Sequence, residues 1–392
     1  MPPGGRWNNC SRLRATRMIR LLTIQPVAER GGSDQALVRL LRSLPAVEFE
    51  CHVVVPAEPP LRTELEATGA AVHVVPMERI STSHALDTWM RYGAGWPVAV
   101  GRIAKLIRTL QIDLVHTNSL HSWYGWAAAS LTRRPHVWHA REITVQSAAA
   151  LKVEQILTKH FATRVIAASQ AIADQLPASD VVVIHETVDP DEFSPSHAGR
   201  FRAAAGIPDD APVVGAAGRI DTWKGFDILL DAFPRVMEQV PDAHLVVAGG
   251  PVTGKEAYAE ALHVLAATMP HTHWLGVRSD VAEILADLDV FTMPSTEPEP
   301  YGLVAVEALA SGTPVVMTGA GGPREIAQQA SPGAARLVPI GDAPALADAI
   351  VATLSERGPS TSASRAARPP LRTPESPDRF AVEFRRTVAA AR

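Results

Sequence analysis

Glu299-Pro300-Tyr301-Gly302-Leu303-Val304-Ala305-Val306-Glu307 sets two carboxylates eight residues apart, with a turn and the start of a helix between them. Gly302 admits tight backbone at the turn, and with Leu303 to Ala310 helical the first amides of that helix point at an anion. Upstream, Gly218-Arg219-Ile220-Asp221-Thr222-Trp223-Lys224-Gly225 offers two cations five residues apart after a run rich in Val and Ala. Together the two stretches describe a pocket that holds a diphosphate and grips hydroxyls.

Outward from these stretches the chain alternates strand and helix patterns. In the first half, 19–24, 49–55, 71–75, 114–116, 136–139, 165–168 and 181–184 read as short apolar strands, with helices at 33–44, 97–110 and 148–160. In the second half, strands at 213–217, 244–248, 272–275, 290–293, 314–317 and 335–338 alternate with helices at 226–239, 256–267 and 304–310. Such alternation predicts an α/β protein with parallel sheets covered on both faces. The 392 residues suit two units. Pro190, Pro195, Gly199, Gly206 and Pro208 interrupt both periodicities between Asp189 and Asp210, which marks the junction between two doubly wound domains. Ligands of such sheets bind at the carboxyl ends of the strands.

Arg219 with Lys224, the Glu299-x7-Glu307 pair and Gly321-Gly322-Pro323-Arg324-Glu325 resemble the retaining nucleotide-sugar glycosyltransferases of family GT4, whose fold is the two-domain GT-B arrangement of Rossmann-like units facing across a cleft. The resemblance runs from about Arg20 to Ile350 and lies in the order and spacing of the motifs. It implies an acceptor-side domain at 18–190, a nucleotide-sugar domain at 191–355 and a terminal crossover helix at 379–392, while composition marks 1–17 as a flexible extension and 356–378 as a flexible Pro/Ser/Arg-rich segment.

Several site residues follow. Gly31-Gly32 opens the first helix, and its amides suit a phosphate; Asp34 shortens the Glu that the family often carries there. An ordinary strand-to-helix turn capped by Ser33 or Asp34 is the structural alternative. Arg219 and Lys224 are expected to bind the departing diphosphate, where negative charge gathers as the glycosyl bond breaks. By resemblance, Glu307 accepts from the ribose and Glu299 from the donor sugar, while Gly302, Leu303, Val304, Gly321 and Gly322 bring backbone amides to the nucleotide sugar. Arg278 falls where the family reads the base. His139 falls where many members place a histidine facing the sugar, with His116, His121 and Asn118 as neighbouring alternatives. Two departures stand out: Tyr301 replaces a usual Phe, and Glu186-Thr187 replaces a usual Asn-Gly.

Other classes are disfavoured. The net charge of -4 gives no basic face for nucleic acid. Cys10 and Cys51 suggest neither a disulfide scaffold nor a metal site. Asp287-Leu288-Asp289 has a metal-binding spacing but precedes a strand, so no metal and no cofactor beyond the donor substrate are expected. No apolar run is long enough to span a bilayer, and the Arg-rich first 17 residues lack the apolar core of a secretory signal. The expectation is therefore a cytoplasmic, metal-independent hexosyltransferase-type enzyme, at most peripheral to a membrane. Its acceptor is small or amphiphilic. Trp89, Tyr92 and Trp96, and then Trp123, Tyr124 and Trp126, form aromatic clusters suited to an acceptor wall, a transient membrane contact or the core. The oligomeric state is open. Alternatives are a pseudo-glycosyltransferase joining a cyclitol to an amine, a nucleotide-sugar epimerase and a non-catalytic binding protein. The junction at Asp189 to Asp210 is expected to act as a hinge for domain closure.

Overall fold

The computed structural model describes residues 18–27, 31–78, 86–145, 147–176, 181–358, 360–371 and 378–391, and the side chains of all of these but 86–92. The extension at 1–17 and the side chains of Trp89 and Tyr92 lie outside the described residues. Two wholly parallel sheets carry the fold. The first contains β1 (Ile19–Ile24), β2 (Phe49–Val55), β3 (Ala71–Val74), β4 (Leu114–Thr117), β5 (His136–Ala140), β6 (Arg164–Ala167) and β7 (Val181–Val183), in the order β3-β2-β1-β4-β5-β6-β7. The second contains β8 (Val213–Ala217), β9 (His244–Ala248), β10 (Thr272–Gly276), β11 (Val290–Met293), β12 (Val315–Thr318) and β13 (Ala335–Val338), in the order β10-β9-β8-β11-β12-β13.

The central strands are short and nearly continuous in Val, Leu, Ile and Ala because helices cover both faces. Each sheet reverses its strand order once, between β1 and β4 and between β8 and β11. These reversals open a crevice at the carboxyl ends of the strands, and the two crevices face each other.

The junction is shorter than the interrupted stretch of sequence. Ile184 belongs to the first-domain core, whereas Val188, Phe193, Phe201 and Ile207 belong to the second. The passage between domains is therefore only about 185–187, and the following segment is docked. Arg202, fully buried, donates from Nε to the Asp287 carbonyl at 2.8 Å and pairs through Nη2 with Asp289 at 2.7 Å. The prolines and glycines that break the sequence pattern stop a 3-10 turn (Pro195–His197) and a short helix (Arg200–Ala205) on the domain surface.

The segment expected to be flexible after 356 is also held, up to Leu371. Arg365, wholly buried, pairs with Asp209 at 2.6 Å and with Asp287 at 3.4 Å, and Arg368 pairs with Asp289 at 2.9 Å. This network occupies both carboxylates of the Asp287-Leu288-Asp289 motif, and none of its members lines the cavity. The mutual pairing offsets the desolvation that makes an isolated buried charge so costly.

The last helix, Asp378–Ala390, crosses back and packs Phe380, Ala381, Phe384 and Val388 into the first domain, leaving Val382 half-buried. Phe384 meets Phe49 edge to face at 6.3 Å. The helix Leu86–Thr109 begins earlier than Pro97, which lies inside it. Trp96 packs 6.3 Å from Trp126.

Two tests follow from this packing. Phe384→Ala should cost ~3–5 kcal/mol of stability, the scale of a large-to-small aromatic deletion in a core, read by chemical denaturation of the first-domain transition. Burial also pushes His116 and His136 down to about 3, so the folded protein keeps them neutral where the unfolded chain would protonate them near 6.5. The unfolded state then binds more protons below pH 6.5, and stability should fall as pH drops from there toward 3. Phenylalanine at position 116 that left the acid limb of a melting-versus-pH curve unchanged would contradict this origin.

Candidate active site

The facing crevices form one cavity of ≈ 760 Å³. On its second-domain wall the chain leaves β8, turns through a 3-10 element (Thr222–Lys224) and enters the helix Phe226–Gln239. The Asp221 carboxylate accepts from the Thr222 amide at 2.8 Å, which fixes the turn that presents Lys224. Gly225 closes it at φ 70°, and a Cβ there would stand 2.0 Å from the Pro294 carbonyl oxygen. Lys224 Nζ sits 4.0 Å from the Trp223 ring centroid and 2.6 Å from Glu299 Oε1. Ser295 Oγ donates to that same oxygen at 2.6 Å. Arg219 is exposed on the cavity wall and makes no ion pair among the described residues.

The Leu303–Ala310 helix starts as the spacing predicts, with Gly302 at φ 100° as its cap and Gly302, Leu303 and Val304 on the cavity wall. Directly opposite, Gly31 and Gly32 open the helix Gly32–Ser43 on the first-domain wall. Two helix N-termini with unspent amides thus meet one space, with Arg219 and Lys224 beside them. That is the electrostatic form of a diphosphate site.

A polar chain lines the first-domain wall, joining Asp34, Asn118 and Glu186 through Gln25 and Arg141, two residues that the motifs did not announce. Asp34 accepts from the Gly31 amide at 3.3 Å and from Gln25 Nε2 at 3.0 Å, and Asn118 Nδ2 donates to Gln25 Oε1 at 2.7 Å. Arg141 Nε donates to Asn118 Oδ1 at 2.7 Å, and Arg141 Nη1 pairs with Glu186 at 2.7 Å. Gln25, Asn118 and Arg141 each stand one residue beyond the end of a strand, the position from which parallel sheets present ligand groups. That placement was the available signal.

Three of the expected positions, His139, His116 and Arg278, are not among the residues that line the cavity. His139 does not reach the cavity; it is fully buried between His116 and Phe380, with ring centroids at 5.6 and 5.3 Å and neither ring nitrogen hydrogen-bonded. Strand alternation turns it toward the crossover helix, and Glu186 Oε1 lies 3.7 Å from its Nε2, one layer below the wall. Desolvation, helped by Arg141, holds its pKa well below the ordinary histidine value. His116 is buried likewise, while His121 lines the cavity and contacts Glu154 at 2.6 Å. Arg278 lies outside the cavity, donating to Asp280 at 2.8 Å.

Gly321 and Gly322 hold Glu299 rather than lining the cavity. The Gly322 amide donates to the Glu299 carbonyl at 2.9 Å, and Glu299 and Gly321 form a parallel bridge. A Cβ on Gly321, at φ 74°, would stand 2.1 Å from the Glu299 carbonyl oxygen. Glu307 is buried just behind the cavity, paired with Arg39 of the first domain at 2.8 Å. Burial pushes its carboxyl up to about 7, against the pull of Arg39.

The domains also touch beside the Glu299 loop. Ser169 Oγ donates to the Pro300 carbonyl at 2.6 Å, and Glu325 accepts from the Gln170 and Ala171 amides while meeting His185 at 2.8 Å. The His185 ring stacks on Tyr301 at 5.3 Å. Tyr301 and Glu325 thus serve the interface between domains. Among the described residues, no group of three or more His, Cys, Asp and Glu is arranged to hold a metal ion.

Comparison with known proteins agrees with this architecture. Residues 30–192 match the model described as Glycosyltransferase Family 4, and residues 211–356 match that of Glycosyl transferases group 1. The D-inositol 3-phosphate glycosyltransferase of Stackebrandtia nassauensis is 29% identical over 333 residues, covering 75% of this chain and 72% of its own. Anabaena Alr3699/HepE, solved with UDP and glucose, superposes with a TM-score of 0.74 at 25% identity, over 89% of this chain and 93% of that one. Sucrose-phosphate synthase from Thermosynechococcus elongatus shares the fold, with a TM-score of 0.69 at 20% identity over 95% of this chain and 94% of its own.

Fold and cleft together define a glycosyltransferase of the GT-B class, built to use a nucleotide sugar. The chain belongs to glycosyltransferase family 4.

Gly321→Ala should displace the Glu299 loop, because the added methyl meets backbone that cannot swing away. We expect a variant that folds with a lowered melting temperature and loses nucleotide-sugar binding by calorimetry. Full affinity would show that the loop does not depend on this contact.

Proposed function

We propose that the enzyme transfers a sugar from a nucleoside diphosphate donor to a small or amphiphilic acceptor, with retention of anomeric configuration and without a metal. The observation that carries this is the convergence of Arg219, Lys224 and two facing helix starts on one cavity that Glu299 also lines. Charge developing on the leaving diphosphate meets preorganised cations and amides, which lower the barrier where it forms. A phosphate oxygen then takes the acceptor proton on the face from which the diphosphate departs.

Glu299 fits a positioning role for the sugar hydroxyls. Its Oε1 already accepts from Lys224 and Ser295, and a carboxylate takes further donors from a polyol. Glu307, behind the Leu303 amides, takes the ribose. UDP in the HepE complex makes UDP sugars the first donors to assay, and the name of the inositol-phosphate relatives makes phosphorylated cyclitols the first acceptors.

Arg219→Ala and Lys224→Ala should each lower turnover by ~10²-fold or more, the scale of one lost transition-state donor. Transfer should persist in EDTA, and proton NMR of the new glycoside should show the donor's anomeric configuration. Inversion, or activity restored only by a divalent ion, would overturn the corresponding part. A carbon–nitrogen adduct, an epimerised donor or no product would favour the alternative classes instead.

A further inference from the structure

We propose that Arg39 is the first-domain half of the ribose site, donating to the oxygens of the diol whose hydroxyls Glu307 accepts. The inference deepens the donor reading above and rests on Glu307 as the ribose acceptor. Arg39 lies in the Gly32–Ser43 helix and is itself buried at 8% exposure. Its Nη2 stands 2.8 Å from Glu307 and 3.7 Å from Glu192, and its guanidinium lies 5.2 Å from the Phe193 ring centroid. Among the described residues its Nε and Nη1 are buried without any hydrogen-bond partner. A buried guanidinium with idle donors beside a carboxylate is an incomplete site, because buried polar groups in folded proteins are otherwise paired.

The missing partner must accept from a guanidinium and donate to a carboxylate. A hydroxyl does both, and a vicinal diol does so twice, whereas a second anion would be repelled by Glu307 and Glu192. Place and chemistry agree. Glu307 is one helical turn, about 5.4 Å, beyond the Leu303 amides, and Arg39 follows the Gly31-Gly32 turn on the facing helix. A ribose attached to a diphosphate held at the two helix starts arrives at that depth. Because Arg39 comes from one domain and Glu307 from the other, the diol would join the domains as it binds.

Arg39 has a second effect. Arg39 from the Gly32–Ser43 helix and Glu192 from the segment docked on the second domain are the charged groups facing Glu307, the first favouring its ionised form and the second opposing it. An ionised carboxylate accepts from both hydroxyls; a protonated one competes as a donor.

Calorimetry of the full chain with UDP, GDP and ADP, each beside its 2′-deoxy counterpart, tests the assignment. The wild type should prefer the ribonucleotide. Arg39→Met should bind it ~10-fold more weakly or worse, lose the preference over the deoxy form, and move the pH midpoint of binding upward from about 7. Arg39→Lys should keep that midpoint, because the charge remains, yet recover only part of the preference, because the planar fork is gone.

Wild-type affinity and preference in Arg39→Met would overturn the proposal, as would tighter binding, which would make Arg39 a latch that the nucleotide displaces. If Arg39→Met does not fold, an unchanged preference in Arg39→Lys overturns it equally. Glu307→Ala separates the two levels. Loss of preference there but not at Arg39 sinks this inference alone, whereas retained preference at Glu307 sinks the ribose reading beneath it. No binding of any of the three nucleotides to the wild type would reject both.

Discussion

Two helix starts face each other across one cavity, and the rest of the site depends on that arrangement. Each helix follows a strand at the place where its sheet reverses strand order: the Gly32 helix after β1, the Leu303 helix after β11. The reversal sends the neighbouring connections to opposite faces and leaves a crevice between them. Amides directed into such a crevice favour negative charge before any cation is added. Arg219 and Lys224 strengthen a field that the backbone has already set.

The cations are kept apart from collapse by local covalent choices. Lys224 is presented by a one-turn 3-10 element closed by Gly225, and its charge is held between the Trp223 face and the Glu299 carboxylate. Glu299 is in turn fixed from below by Gly321 and Gly322, whose missing side chains let two backbones approach to hydrogen-bonding distance. The loop that carries Glu299 also carries Pro300 and Tyr301, which touch Ser169 and His185 of the other domain. The cavity-lining Glu299 and the contact between domains therefore share one short segment.

The second half of the site was legible in the chain because its chemistry is local. Arg219, Lys224, Glu299 and Gly302 act within a few residues of a strand end or a helix start, so spacing alone brought them together. The first-domain wall was not legible in the same way. His139 stood at the right place along β5 but on the wrong face, since the period of two in a strand turns alternate side chains to opposite sides. Arg141, two residues on and of the same parity, lines the cavity because the chain has left the strand by that point. The Asp189 to Asp210 stretch shows the same limit of local pattern. Its prolines and glycines do interrupt periodicity, but Phe193, Phe201 and Arg202 tie it to the second domain.

The sequence by itself determined the two parallel α/β units and the order of the motifs, because strand and helix periods and strand-end residues are properties of neighbours in the chain; the family came from the resemblance those motifs carry. Only the tertiary structure decided which buried charges found partners. Arg39 meeting Glu307, Arg141 meeting Glu186, and Arg365 and Arg368 meeting Asp287 and Asp289 all join residues far apart in the chain. No local pattern encodes such pairs. The cost of burying a charge selects its partner, and that cost exists only once the fold has excluded water from around it.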